Sequence, residues 1–234
     1  MSALSGAPLV VTFDLFSALT DTRTGASATL DALAAERGWE ATGPELYDDW
    51  DARNKAAQRT ARWPTTFAEV SLDALAATYA ARSLSPEHAR ADLGRLHGAV
   101  GDWPLWPDVA EAVRAVAAMP QVRGVGLLSN VDDALARRTR AAALVEADLM
   151  LTSQRLRAFK PDPSIYTEAA AAVAPAALVH VAASARDVRG ALEAGLAIVR
   201  LARPGHALDP DGPRPDHEVA DAADLPAALE ALAR

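Results

Sequence analysis

Six polar side chains carry the groups from which a reaction centre could be built: Asp14, Ser129, Asn130, Lys160, Ser184 and Asp187. Each follows a short apolar run. Asp14 comes directly after Pro8 to Phe13, and Ser129 and Asn130 after Arg123 to Leu128. Lys160 follows Asp148 to Leu151, and Ser184 and Asp187 follow Leu178 to Ala182. Two carboxylates, two hydroxyls, an amide and an ammonium can attack, donate or hold charge. A polar residue after a strand often does no more than cap the next helix, so none of the six is decisive alone. Their joint order is. Of 23 basic side chains, only Lys55 and Lys160 are lysines. Where arginine is the default, a lysine offers a compact ammonium with an adjustable pKa; chance is the competing account. The chain has no cysteine, which removes thiolate nucleophiles, thiolate metal sites and disulfides.

These residues need a frame that brings them together. Pro8 to Phe13 is apolar and β-branched, as suits a buried strand of a parallel sheet. From about Thr22 to Leu96 the pattern turns helical, with Ala26 to Arg37 and Phe67 to Arg82 at helical spacing, and Pro86 opening a further helix with Ser85 as its N-cap. A linker, Gly101 to Pro107, follows. Helices are then expected over Asp108 to Ala118, Asp132 to Ala143, Asp162 to Val173, Arg186 to Ala194 and Asp224 to Ala233. They alternate with the strands already named and with Ala197 to Leu201 and Glu218 to Ala220. Pro204 to Pro215 is expected as a surface loop. Alternating β and α elements imply a Rossmann-like α/β parallel sheet covered by helices. Residues 1–21 and 97–234 then form the core and residues 22–96 an inserted helical cap. Ligands of such a sheet bind beyond the carboxyl ends of its strands, which is where all six residues fall.

The 234 residues suffice for that core and insert. Half are hydrophobic and 5% aromatic, so the interior is chiefly Ala, Leu and Val. A net charge of −8, with no basic run, argues against nucleic acid. The N-terminal residues lack a signal-peptide pattern and no window is apolar enough for a membrane helix. A soluble, cytoplasmic protein without a membrane partner is expected.

The segments Phe-Asp-Leu-Phe-Ser-Ala-Leu (13–19), Leu-Leu-Ser-Asn (127–130), Lys-Pro-Asp-Pro-Ser-Ile-Tyr (160–166) and the stretch around Asp187 resemble the four motifs of the haloacid dehalogenase superfamily. The third, ending on Tyr166, is most similar to the L-2-haloacid dehalogenase (type II) branch. That resemblance implies an Asp14 nucleophile, a Lys160 that keeps it ionised, and an Asp187 that holds Lys160 and polarises the hydrolytic water beside Ser184. It implies that Leu15, Phe16, Ser129 and Asn130 meet the substrate, with Ser129 on its carboxylate, and that Tyr166 orients Lys160. Helix packing for Tyr166 and a helix N-cap for Asn130 stay open as plainer roles. The branch carries a Trp-Arg pair in its cap. Here Asp51 follows Trp50, so the cap cation is sought first in Arg53 and second in Lys55, against a solvated helix face with i,i+4 pairs. Five tryptophans (39, 50, 63, 103, 106) lie in the cap or its return linker, to wall the cleft or to pack it.

Phosphatases of the superfamily place an acid two residues after the nucleophile and an acidic pair in the fourth motif for Mg²⁺. Here Phe16 and a lone Asp187 stand in those places, a poor donor set for magnesium. Halide needs no proton to leave, so hydrolysis of a carbon–halogen bond in a small carboxylic acid, without metal or cofactor, is the reading favoured. A phosphatase- or phosphonatase-type hydrolase, with Lys55 as a Schiff-base amine, and a repurposed member of the superfamily are the alternatives. The departures are Ser17-Ala18 for Gly-Thr, which leaves the bracing hydroxyl missing or supplied by Ser17, and Ala182 and Ser184 for Ser and Asn. A homodimer is left open.

Overall fold

Every residue of Leu9–Phe13 (β1) is buried, as a strand covered on both faces must be. The computed structural model describes residue 4 and residues 6–233. Its remaining strands are Val122–Ser129 (β2), Met150–Thr152 (β3), Ala177–Ala182 (β4), Ala197–Leu201 (β5) and His217–Val219 (β6). They form one parallel sheet in the order β3-β2-β1-β4-β5-β6. This is a Rossmann-like α/β fold, and the order reverses direction at β1, placing the end of that strand at the switch point where such sheets bind ligands.

The helices are Thr22–Arg37 (α1), Gly43–Gln58 (α2), Phe67–Ala81 (α3), Ala89–Gly98 (α4), Val109–Ala117 (α5), Asp133–Ala136 (α6), Ser153–Leu156 (α7), Pro163–Val173 (α8), Ala185–Glu193 (α9) and Leu225–Leu232 (α10). Alternation along β1 divides the interior. Leu9, Val11 and Phe13 join Val113 of α5 and Leu229 of α10 on one face, and this cluster continues into Leu30, Leu46 and Leu75 of the first three helices. Val10 faces the other way, with Ile165 and Ala169 of α8 and Val188 of α9.

Between β1 and β2 the described residues carry helices α1 to α5 and no named strand. Local chemistry sets their starts. The Asp21 carboxylate accepts from Thr24 N at the head of α1. Thr42 with Glu45 and Thr66 with Glu69 form capping boxes on α2 and α3, each satisfying donors that a helix N-terminus leaves free.

Three local expectations need correction. Asp132 to Ala143 is not one helix: α6 ends at Ala136, and Arg140–Leu144 is a separate 3₁₀ turn. Thr139 folds back, its N–H and hydroxyl both donating to Ala136 O, while Asp132 serves α3 instead of its own helix. Pro86 opens only a 3₁₀ turn, Pro86–His88, before α4, and the Ser85 side chain makes no capping bond. The last strand ends at Val219, not Ala220. No helix of the described residues is long and apolar enough to cross a membrane.

Candidate active site

Parallel pairing fixes the direction in which β1 delivers its last residue. Asp14 N–H donates to Val181 O of β4 at 2.9 Å, which holds the backbone in the ladder up to the residue whose side chain enters the cleft. A single π-helical turn, Leu15–Leu19, follows and brings Ser17 back over Asp14. Ser17 Oγ donates to Asp14 Oδ2, so the bracing hydroxyl is present, supplied from position 17. Trp106 Nε1–H donates to Ser17 O at 3.1 Å and holds that turn in place.

The other carboxylate oxygen, Asp14 Oδ1, accepts from Ser129 Oγ and from Lys160 Nζ, both at 3.0 Å. Lys160 Nζ also donates to Asp187 Oδ2 at 2.5 Å and to Leu128 O at 2.6 Å, so its three N–H groups are spent. Asp187 Oδ1 accepts from Tyr166 OH at 2.8 Å, and His180 Nε2 lies 3.1 Å from Asp187 Oδ2. His180 had no place in the sequence reading. It is fully buried on β4 and meets Thr12 through Nδ1. Tyr166 thus acts on Lys160 only by way of Asp187. Its hydroxyl reaches there because position 190 is glycine, where a Cβ would stand 2.8 Å from Tyr166 Oη.

Burial by itself would raise the Asp14 carboxyl, but the Lys160 ammonium, helped by Ser17, outweighs it and holds the pKa below the ordinary value. Asp187 follows the same pattern. Burial pushes up, Lys160 and His180 push down, and the net is well below the carboxylate range. Both groups are therefore anions at neutral pH. Asp187, with hydrogen-bond donors on both oxygens and a depressed pKa, is suited to holding Lys160 rather than to taking a proton.

The cavity in front of Asp14 has two halves. One is aromatic. Phe16 stacks on Phe67 with centroids 5.9 Å apart and tilts against Trp103 at 6.2 Å. His97 stacks on the other side of Phe67 at 6.1 Å. Trp103 fits because Gly25 has no side chain; a Cβ there would come within 2.4 Å of the indole. Burial, with Arg138 nearby, pushes His97 down to about 4, so it is neutral. The polar half is walled by one face of α2, where Tyr47, Trp50, Asp51, Asn54, Lys55 and Gln58 all line the cavity. Their spacing, i, i+3, i+4, i+7, i+8, i+11, is one helix face.

That face corrects the choice of cap cation. Arg53 is not among the lining residues; its Nε donates to Asp49 Oδ1 at 2.8 Å on the outer surface of α2. Lys55 does line the cavity but is paired with Asp51 at 2.5 Å. Leu15 is also displaced, since its side chain lies wholly in the core. Asn130 clips Lys160 on both sides, accepting from its backbone N–H at 2.7 Å and donating to its carbonyl at 2.9 Å, and donates to Gln58 Oε1 at 2.8 Å. Its amide is therefore occupied by the protein. Ser184 lines the cavity at the head of α9, and its hydroxyl makes no capping bond. Of the tryptophans, only Trp50 and Trp103 line the cavity; Trp39 packs on Tyr79 at 4.9 Å, and Trp63 is exposed. The sequence reading missed Gln58, His97 and His206. The stripe on α2 was the available signal for Gln58.

Residues 9–195 match the family model of the haloacid dehalogenase-like hydrolases. The chain is 25% identical over 200 residues to an (S)-2-haloacid dehalogenase of Xanthobacter autotrophicus, spanning 82% of this chain and 74% of that one. Two solved structures are similar across almost the whole length. One is a defluorinating L-2-haloacid dehalogenase, with TM-score 0.80, 26% identity and 98% of each chain covered. The other is an L-2-haloacid dehalogenase with TM-score 0.75 and 27% identity, covering 97% of this chain and 100% of that one.

Proposed function

The chain belongs to the haloacid dehalogenase-like hydrolases, and from that premise we propose that it hydrolyses the carbon–halogen bond of a small 2-halo carboxylic acid through an ester on Asp14. The relatives named as 2-haloacid dehalogenases support the reaction class. One observation carries it to this site: a buried Asp14 carboxylate held ionised by Lys160, with an aromatic ring, Phe16, two residues on where an acid for an alkoxide leaving group would stand.

In the first step an Asp14 carboxylate oxygen attacks the substrate's C2. The new C–O bond forms as the C–halogen bond breaks, and the halide departs with the bonding pair, so no proton is required. The aromatic half of the cavity, Phe16, Phe67 and Trp103, takes the halogen end of the substrate. In the second step water adds to the Asp14 ester carbonyl. The 2-hydroxy acid leaves, a proton passes to solvent, and Asp14 is reset as an anion by Lys160. Ser184, whose hydroxyl is spared from capping, positions that water. Asp187 and, through it, Tyr166 hold the ammonium where both steps need it. Residues 22–96 serve as the cap and residues 1–21 with 97–234 as the core.

Halide release from a panel of 2-halo acids, with and without EDTA, tests the proposal. Release that survives chelation is expected, with an intact-mass adduct on the peptide carrying Asp14. Asp14→Asn should lower turnover about 10⁴-fold or more, as removal of a covalent nucleophile does elsewhere. No halide from any 2-halo acid, or an undiminished rate in Asp14→Asn, would overturn it.

A further inference from the structure

A carboxylate substrate needs donors that the protein has not already used. Ser129 directs its one proton to Asp14 Oδ1. Asn130 spends its amide on Gln58 and on the Lys160 carbonyl. Lys160 is saturated by Asp14, Asp187 and Leu128. Arg53 faces away, and Lys55 is neutralised by Asp51. One cation of the cavity wall is left.

Arg186, at the head of α9 and beside Asp187 in the chain, lines the cavity. Its guanidinium donates from Nη1 to Lys55 O at 3.0 Å and from Nη2 to Gln58 Oε1, which uses two of five N–H groups and fixes the fork against the end of α2. It makes no ion pair with a carboxylate among the described residues, whereas both lysines do. Burial draws its pKa down from the ordinary arginine value, against the pull of nearby acids. A half-buried cation with no direct ion-pair partner among the described residues leaves charge to be compensated, and an anion entering the cavity compensates it. Lys55, Ser184, Arg186 and His206 also line an outer groove bordered by Arg59 and Arg189, so the guanidinium stands where the cavity opens towards solvent.

We propose that Arg186, a core residue, receives the carboxylate of the substrate and is the residue that selects for an acid, in place of a cap arginine. The inference rests on the reading of the substrate as a small carboxylic acid. It accounts for Asp51 in the cavity: with the charge supplied from the core, the cap position after Trp50 is free to hold an acid that neutralises Lys55.

Binding can be read without turnover, because Trp50 and Trp103 line the cavity and report on occupancy by fluorescence. Propionate should bind the wild-type protein, and propionamide should bind more weakly. Arg186→Gln should weaken propionate about tenfold or more, a loss of about 1.4 kcal/mol or more, and bring acid and amide close together. Arg186→Lys should restore part of the preference for the acid. Arg53→Gln, which changes a cation outside the cavity lining, should keep that preference. Unchanged acid selectivity in Arg186→Gln, its loss in Arg53→Gln, or absence of propionate binding to the wild type would overturn the proposal. Propionate binding through Arg186 in a protein that releases no halide would sustain this site and overturn the dehalogenase reading.

Discussion

The sheet edge and one face of α2 border the same cavity and treat charge in opposite ways. At the sheet edge Asp14, Lys160 and Asp187 are buried and pair across 146 and 27 positions of sequence. On the α2 face that meets the cavity the pair is local and only half-buried: Lys55 with Asp51, four residues apart. Exposed i,i+4 pairs contribute about 0.3–0.5 kcal/mol, whereas a buried pair broken on one side costs several. Reactive groups in the first region are held in place by the fold. The second supplies walls and cancels its own charge.

The largest expected effect tests the sheet edge. Lys160→Met leaves Asp14 and Asp187 buried without their cation and should destabilise the protein by about 3–5 kcal/mol at neutral pH. The dependence on pH separates this from a packing defect. In the wild type both carboxyls are held low, so their contribution is present above the unfolded carboxylate value and is lost as pH falls through the folded one. In the variant burial is opposed only by Ser17 at Asp14 and by His180 at Asp187, so both carboxyls rise and acid relieves the strain. The gap in Tm between the two proteins should therefore narrow from pH 7 to pH 4. A gap that stays constant would mean that the ammonium is not what holds these carboxylates.

The same contrast explains what could be read in the sequence. A strand in a parallel sheet fixes where its last residue goes, so Asp14, Ser129, Lys160 and Asp187 were placed by recognising the strands and their order. Ser17 was legible as one of two ways to replace a missing hydroxyl; the π-helical turn that selects it was not, because no residue pattern in Leu15–Leu19 announces it. On α2 a shift of two residues turns a side chain by about 200°. Arg53 and Lys55 were therefore candidates of similar merit until the helix phase was known. The stripe from Tyr47 to Gln58 contains that phase, but its polar members resemble a solvated face. Asn130 lines the cavity and also clips the Lys160 peptide; the second role has no signature of its own, because an amide after a strand looks the same whichever partner it meets.

A middle-sized effect tests the aromatic side of the cavity, where His97 on α4 is stacked on Phe67 and its Nε2 is buried without a partner. Its folded pKa of about 4 lies below the ordinary histidine value of 6.5. The folded state therefore binds fewer protons than the unfolded one between those values, and stability falls as pH drops from 6.5 towards 4. The total is about 3 kcal/mol on the linkage relation. His97→Phe keeps a ring against Phe67 and has no proton to bind. Its unfolding free energy should vary less with pH across that window than the wild type's, whatever the offset between the two curves. Parallel curves would place a charged His97 in the folded cavity, contrary to an aromatic half that stays neutral.

The smallest effect probes the seam between the two regions. Asp132 follows β2, yet its carboxylate accepts from Phe67 N and Ala68 N, both at 2.9 Å, at the first turn of α3. The Thr66–Glu69 capping box is already complete, so this carboxylate satisfies two further free donors and adds a negative charge at the positive end of the helix. Because the donor at one of these positions belongs to Phe67, the contact also fixes the ring that stacks on Phe16 beside Asp14. Asp132→Ala should cost about 1–2 kcal/mol of stability, the range for a lost helix cap. Asp132→Asn keeps a single acceptor oxygen without the charge and should fall between. If the contact only stabilised the fold, halide release by folded protein would be unchanged in Asp132→Ala. If it holds the aromatic half over the nucleophile, KM should rise severalfold while Tm falls only a few degrees, and Asp132→Asn should recover part of both. A loss of stability without any change in KM would show that apolar packing alone keeps Phe67 in place.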